Sequence, residues 1–176
     1  SLPEDVVNFI DAQGIGTTIA KALTAGETHT CAMIPDGSVN CWGSGKFGQL
    51  GNNTIGSKAK SAIPVRVSAM AGVVGIAGGQ NHTCAITSGN AVSCWGRNHL
   101  GQLGNGTLLD SGVASVIQGL TAQVIAAGEN HTCAILTDGS VKCWGANGFG
   151  QLGNGEFANA DQPQDVAGVI GATAVG

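Results

Sequence analysis

Apolar and polar residues alternate along several short segments of this chain, and a period of two is typical of β-strands. The segments HTCAIT at 82–87 and AVSCWG at 91–96 form one such pair, with a tight turn between them. Two further short apolar segments, at 63–67 and 73–78, precede this pair. The pattern predicts about four short strands in this part of the sequence.

The same pattern occurs three times, with repeat cores at 26–52, 79–105 and 128–154. The cores share the motifs His-Thr-Cys-Ala, Cys-Trp-Gly and Gly-Gln-Leu-Gly-Asn, and their first cysteines are 53 and 49 residues apart. Residues 162–176 resemble the stretch before the second core and predict a partial fourth repeat. Four strands in a period of about 50 residues are typical of a β-propeller blade. We therefore predict a single all-β domain over 1–176.

The repeated motifs also carry a family resemblance. The segment HTCAILTDGSVKCWGANGFGQLGN at 131–154 and its two counterparts resemble the repeat of the regulator of chromosome condensation family, in its bacterial, cysteine-containing form. The resemblance covers nearly the whole chain and implies propeller blades of four antiparallel strands, usually seven in a closed ring. Three complete repeats and a partial fourth do not close a ring alone, since propellers use at least about four blades. We expect either an open arc that forms a homo-oligomer or a fragment of a larger propeller.

The hairpin turn places the two cysteines of each repeat opposite each other. A three-residue hairpin loop ends on a residue in the left-handed conformation, usually glycine. In the third repeat this loop pairs Leu136 with Ser140 and sets Cys133 opposite Cys143. Opposed Cβ atoms lie about 4.5–5.5 Å apart, close to the about 3.5–4.5 Å that a disulfide needs. The loop residue occurs in every repeat, as Gly37, Asn90 and Gly139. We predict the bridges Cys31–Cys41, Cys84–Cys94 and Cys133–Cys143.

Reduced structural cysteines and a metal site are the alternatives to these bridges. His131, Cys133 and Cys143 are three ligands of the kind that zinc takes, and a catalytic zinc needs only three plus water. The set recurs in every repeat, which favours disulfides because an active site is rarely triplicated. Three bridges predict an oxidising compartment, so we expect a secreted, extracellular or periplasmic protein. For His29, His82 and His131 we expect hydrogen bonds to the backbone of a neighbouring strand or blade.

The tryptophans and leucines of the repeat are predicted to be structural. Each tryptophan directly follows a cysteine and so points to the opposite face of the blade. We expect the tryptophans to pack between neighbouring blades; the alternative is an exposed aromatic platform for a sugar or a protein. The residues concerned are Trp42, Trp95 and Trp144. The leucines of the Gly-Gln-Leu-Gly turns are expected to enter the core, at Leu50, Leu103 and Leu152.

Composition and charge disfavour several functions. The 176 residues include 7 basic and 11 acidic ones, for a net charge of −4, and the basic residues are scattered, which disfavours a nucleic-acid partner. No apolar run approaches the about 20 residues of a membrane span. The chain opens at Ser1 without a methionine, which we interpret as the product of processing or cloning. Acidic residues are spread singly and no nucleophile motif occurs, so we predict a non-enzymatic protein without cofactor or bound metal.

One dinucleotide-binding pattern, G-x-G-x-x-G, occurs at 43–48. Its middle glycine, Gly45, is replaced by Asn98 and Asn147 in the other two repeats. Glycine and asparagine interchange where the backbone φ is positive, so we interpret these positions as turn residues. The match therefore does not indicate nucleotide binding.

Function is expected where the three copies differ, because the shared positions maintain the fold. The connecting loops at 53–64, 106–115 and 155–163 differ, and so do the residues just before each Gly-Gln-Leu-Gly turn. The predicted partner-facing residues are Lys46, Phe47, Arg97, His99, Leu100 and Phe149. We predict a secreted binding module for a protein or a glycan. The alternatives are a guanine-nucleotide exchange factor-like regulator of a small GTPase and a secreted enzyme inhibitor.

Overall fold

A computed structural model describes residues 19–173 of the chain, and all regular secondary structure in that range is β-strand. The first blade comprises β1 (Ala22–Ala25), β2 (His29–Met33), β3 (Val39–Ser44) and β4 (Lys60–Arg66). The second comprises β5 (Val73–Gly78), β6 (His82–Thr87), β7 (Ala91–Gly96) and the first part of β8 (Ser111–Ala127). The third comprises the rest of β8, β9 (His131–Leu136), β10 (Ser140–Gly145) and β11 (Ala160–Ile170).

The central hairpin of each blade has the register that the turn residues predict. Gly37, Asn90 and Gly139 have φ values of 79°, 64° and 83°, in the left-handed region. The cysteines of each hairpin are directly opposed, with Cα atoms 4.1 Å apart, and they form disulfides. The bridged pairs are Cys31–Cys41, Cys84–Cys94 and Cys133–Cys143.

The outermost strand of each blade comes from the sequence repeat that follows it. Strand β4, which lies just before the second repeat core, pairs with β3 of the first blade. Strand β8 pairs with β7 through Ser115 and with β9 through Ala126, so it passes from the second blade into the third. The predicted partial repeat at 162–176 supplies most of β11, which completes the third blade on β10. Residues 1–18 and 174–176 of the predicted domain lie outside the described range.

The hydrophobic cores lie between consecutive blades. One core joins Met33, Val39 and Leu50 of the first blade to Trp95 of the second, and the other brings Trp144 against the second blade. Trp95 and Trp144 are fully buried, which agrees with their predicted packing between blades. The turn leucines are also buried, at Leu50, Leu103 and Leu152.

A set of polar contacts, here called the joint, connects the first blade to the second. His29 Nε2 lies 2.8 Å from the Thr83 hydroxyl. Trp95 Nε1 donates a hydrogen bond to the Gln49 carbonyl at 3.0 Å. The side-chain amide of Gln49 donates to Asn81 Oδ1 at 3.3 Å. Each contact therefore joins a residue of the first blade to a residue of the second.

The same joint connects the second blade to the third. His82 Nε2 lies 2.9 Å from the Thr132 hydroxyl, and Trp144 Nε1 donates to the Gln102 carbonyl at 3.0 Å. The Gln102 amide donates to Asn130 Oδ1 at 3.4 Å. The two joints therefore reproduce each other closely, as expected for stacked repeats.

The joint histidines bind a threonine side chain rather than the backbone partner that the sequence predicts. Thr132 donates its single hydroxyl proton to the Gln102 carbonyl at 3.1 Å, so it accepts the proton of His82 Nε2. Glycine precedes each histidine by three residues, and a Cβ atom at Gly79 would collide with the His82 ring. The close approach of ring and backbone thus requires glycine at this position.

Candidate functional site

The three Gly-Gln-Leu-Gly turns lie at the same place in each blade, and their glutamines hold them in shape. The side-chain oxygen of Gln49 accepts a hydrogen bond from the backbone N–H of Phe47 at 2.8 Å. Gln102 accepts from the backbone N–H of Leu100 at 2.9 Å, and Gln151 from that of Phe149 at 3.0 Å. These turns fix Phe47, Leu100 and Phe149, three of the predicted partner-facing residues.

The long loops after the second and third turns are anchored by buried asparagines. Asn98 Oδ1 accepts from the backbone N–H of Leu103 at 2.9 Å, and Asn98 Nδ2 donates to the Thr107 carbonyl at 2.8 Å. Asn147 makes the equivalent bonds to Leu152 and to Glu156, each at 2.9 Å. The interpretation of these positions as positive-φ turn residues is wrong, because neither asparagine has a positive φ. Asparagine is needed there because its fully buried side-chain amide forms hydrogen bonds with backbone groups of the loop.

Three of the predicted residues come together across the first joint. Lys46 Nζ lies 5.0 Å from the centroid of the Phe47 ring, and Arg97 Cζ lies 4.5 Å from it. Arg97 belongs to the second blade, so this cation–π group links the loops of two blades. Two positive charges therefore lie against the partly exposed ring of Phe47.

His99 and Leu100 lie apart from this group and border a cleft of about 270 Å³. Leu108, Asn159 and Asp161 complete its lining, so the cleft lies between the loops of the second and third blades. Partial burial, followed by the charge of Arg97, lowers the pKa of His99. The remaining predicted residue, Phe149, is 96% exposed.

Four large apolar side chains in the parts of these loops that lie outside the strands are also exposed and were not among the predicted residues. Their exposed fractions are 52% for Ile55, 57% for Leu108, 76% for Leu109 and 72% for Phe157. These residues follow no periodic pattern in the sequence. Their position in a variable loop is the only sequence signal that could have identified them. We call these four residues, together with Lys46, Phe47, Arg97, His99, Leu100 and Phe149, the loop rim.

The loop rim is rich in exposed apolar side chains. Within residues 19–173, no three His, Cys, Asp or Glu side chains are placed to hold a metal ion. The same range contains no helix that is long and apolar enough to cross a membrane. What the rim offers is exposed aromatic and aliphatic surface with two flanking cations.

Comparison with protein-family models identifies the repeat. The model described as "Regulator of chromosome condensation (RCC1) repeat" matches residues 36–86, 91–135 and 138–175. A second model of the same description matches 20–49, 73–102 and 123–151. The chain belongs to the RCC1 repeat family. The predicted family resemblance is confirmed.

Two curated relatives share RCC1-type sequence with the chain. The ultraviolet-B receptor UVR8 of Arabidopsis thaliana is 35% identical over 111 residues, which are 62% of this chain and 24% of the relative. The probable E3 ubiquitin-protein ligase HERC4 of Homo sapiens is 34% identical over 126 residues, which are 70% of this chain and 11% of the relative. The chain thus spans a quarter or less of these RCC1 relatives.

Solved RCC1 structures share the fold. Prp20p from Saccharomyces cerevisiae superposes with a TM-score of 0.76 at 22% identity, covering 84% of this chain and 38% of that one. Human WBSCR16 gives the same TM-score and identity and covers 84% and 39% of the two chains. The predicted all-β propeller architecture is confirmed.

Proposed function

We propose that this RCC1-repeat chain is a non-enzymatic protein-binding module that contacts its partner through the loop rim. The carrying observation is that the loops that differ between the repeats present exposed apolar side chains. Phe149, Phe157 and Leu109 are each more than two-thirds exposed. Exposed apolar groups clustered in variable loops are typical of interaction surfaces.

A protein suits this surface better than a glycan does. Two of the three tryptophans that would stack on a sugar lie in the joints, since Trp95 and Trp144 are fully buried, and the partly buried Trp42 lies on strand β3 rather than on the rim. The rim offers aliphatic side chains and the Phe47 ring flanked by Lys46 and Arg97. Aromatic and arginine side chains are enriched at the centres of protein interfaces. We infer a partner surface that combines apolar residues with carboxylates.

The experiment compares binding partners of the wild-type chain and of a rim variant. Immobilised chain captures proteins, mass spectrometry identifies them, and calorimetry then measures the affinity of the purified partner. The double change Leu109→Ser and Phe149→Ser should weaken binding by at least about tenfold, since buried interface anchors are worth about 2 kcal/mol or more.

The matched control is Leu23→Ser, because Leu23 is 65% exposed but lies on strand β1 rather than on the rim. We expect this control to retain wild-type affinity. Equal loss in the control and the rim variant would refute the rim as the binding surface, as would full binding by the rim variant.

We also propose that the protein works in an oxidising compartment. All six cysteines lie in the three disulfides, and such bridges persist in secreted or periplasmic proteins. This supports an exported binding module over a cytosolic nucleotide-exchange role, which would be exercised in a reducing compartment. The intact mass of the native protein should rise by six hydrogens on reduction. A native protein with six alkylatable thiols would contradict export.

A further inference from the structure

The cleft of about 270 Å³ between the loops of the second and third blades is bounded by two blades that already contact each other. His99, Leu100 and Leu108 form its wall on the second blade. Asn159 and Asp161 form its wall on the third. The volume is below the about 300–1,000 Å³ of pockets that take small molecules. A single side chain of a partner protein therefore matches this cleft better than a small-molecule ligand does.

Comparison of the two joints shows which side chain is missing beside the cleft. At the first joint the guanidinium of Arg97 lies over the Phe47 ring, with Cζ 4.5 Å from the ring centroid. The equivalent of Phe47 in the next repeat is Leu100, and the equivalent of Arg97 is Ala146. Arg97 and Ala146 have matching backbone positions, since each donates its N–H to the asparagine that precedes the hairpin, at 2.9 and 2.8 Å. Because alanine ends at Cβ, the second joint lacks the guanidinium that the first joint has.

The second joint also carries a carboxylate that the first joint lacks. Asp161 borders the cleft, whereas the equivalent residue at the first joint is Gly112. The backbone carbonyl of each accepts a hydrogen bond from the loop of the preceding blade, at 2.9 and 2.8 Å, which confirms that the two positions correspond. Within residues 19–173 the single ion pair joins Lys142 to Asp165. In that range, therefore, no cation pairs with the partly exposed Asp161.

The other titratable groups near the cleft do not cancel the charge of Asp161. Burial, followed by the charge of Arg97, lowers the pKa of His99, so this ring is uncharged at neutral pH. The charges of Arg97 and Asp110 both act on His99, and they are opposite in sign. Because these two charges oppose each other, Asp161 sets the sign of the charge that an occupant of the cleft meets. The cleft therefore favours a cation with an apolar stem, which can lie against its leucines.

We propose that this cleft binds an arginine side chain of the protein partner, an inference that deepens the proposed function and rests on it. The aliphatic stem of the arginine contacts Leu100 and Leu108, and its guanidinium donates hydrogen bonds to the Asp161 carboxylate. The partner's arginine thus supplies at the second joint the kind of group that Arg97 supplies at the first. Arginine suits the cleft better than lysine does, because a planar guanidinium can donate two parallel hydrogen bonds to one carboxylate.

Nuclear magnetic resonance titration of the full chain with N-acetylarginine methylamide tests the cleft without a partner protein. The amide signals of residues 99–100, 108 and 159–161 should shift together, with about millimolar affinity, as expected for so small a ligand. The matched probe is the citrulline derivative, which has nearly the same shape but no charge. It should bind about five- to tenfold more weakly, a factor between those of exposed and of buried charged pairs.

Two variants test the cleft by different routes. Asp161→Asn removes the negative charge with little change of shape, and it should weaken binding of the arginine probe about five- to tenfold. Ala146→Arg places a guanidinium at the position that Arg97 has at the first joint, and it should block the probe while every cleft residue stays in place. Asp36→Asn is the control, because it removes one negative charge from the hairpin turn of the first blade and keeps an acceptor for the N–H of Ser38. It should bind the probe as the wild type does.

Equal binding of the arginine and citrulline probes, or unchanged probe binding by Asp161→Asn, would overturn the proposal. These measurements involve no partner, so such a failure would leave the loop rim intact as a protein-binding surface. Full partner binding by the Leu109→Ser and Phe149→Ser variant would instead refute the rim, while the probe would still report on the cleft. With the purified partner, Asp161→Asn should weaken affinity about five- to tenfold and Asp36→Asn should not. Equal partner affinity of Asp161→Asn and the wild type would also overturn the proposal.

Discussion

At the scale of single residues, the buried histidines are the groups most sensitive to their surroundings. Burial lowers the pKa of His29 to about 4. Burial, together with the neighbouring His29 and His131, lowers the pKa of His82 to about 3. The Nδ1 atom of each ring has no hydrogen-bond partner, so a second proton there would be buried without an acceptor. Both rings are therefore neutral in the folded protein at neutral pH.

These pKa values predict acid sensitivity. A histidine of the unfolded chain has a pKa of 6.5, whereas the folded pKa is about 4 for His29 and about 3 for His82. The unfolded chain therefore binds more protons below pH 6.5. As a result, the free energy of unfolding is highest above pH 6.5 and falls as the pH decreases toward these folded values. Each histidine contributes a slope of up to about 1.4 kcal/mol per pH unit. Urea unfolding at several pH values measures the slope.

The substitution His82→Gln sharpens this test, because glutamine keeps an N–H donor for Thr132 and does not titrate. We expect it to reduce the slope by up to about 1.4 kcal/mol per pH unit, which is the contribution of one histidine. His99→Gln at the exposed histidine is the matched control and should change the slope far less. A pH-independent stability in the wild type would contradict the buried, neutral assignment.

The sequence predicts those single residues whose role is local. The turn residues Gly37, Asn90 and Gly139 are predictable because a three-residue hairpin loop demands a left-handed residue within a few positions. Asn98 and Asn147 were misinterpreted because their partners lie in loops up to 11 residues further on, at Ala158 in one case. Which loop carbonyls need a buried donor is a property of the folded loop.

At the scale of strands, the hairpins follow from the sequence and the outer strands do not. Cys84 faces Cys94 because alternation and turn length together fix the register. Strand β8 contains 17 residues and contributes to two blades: residues up to Thr121 pair with β7, and residues from Ala122 onward pair with β9. Period-two alternation indicates a strand but not the edge on which it pairs, so blade boundaries needed the structure.

The candidate surface, like the strands, was predictable from the sequence only in part. Repeat comparison identified the turn positions, and the structure brings Lys46, Phe47 and Arg97 together there. The comparison of repeats did not predict that Arg97 contacts Phe47 across a joint, because the distance between these two residues depends on the packing angle of neighbouring blades. The exposed Leu109 and Phe157 were missed because single apolar residues in a loop carry no periodic signal.

At the scale of the whole molecule, covalent bridges and joints stabilise different units. Each disulfide links two strands within one blade, whereas the joints and the cores between blades connect one blade to the next. Stability is then approximately a sum of blade terms and neighbour terms. Within the described residues, the second blade takes part in two joints and the third in one.

Removing a bridge should therefore have consequences that depend on the blade. Each bridge closes a loop with a sequence separation of 10, so replacing both of its cysteines by alanine should cost about 2–3 kcal/mol. Without Cys133–Cys143, the third blade should open locally, and hydrogen exchange measured at low protein concentration should rise in 131–145 but not in 29–44.

Without Cys84–Cys94, exchange should rise in all three blades, because opening the second blade breaks both joints. Identical exchange patterns in the two variants would show that the blades unfold as one unit and that the joints are as strong as the blades themselves.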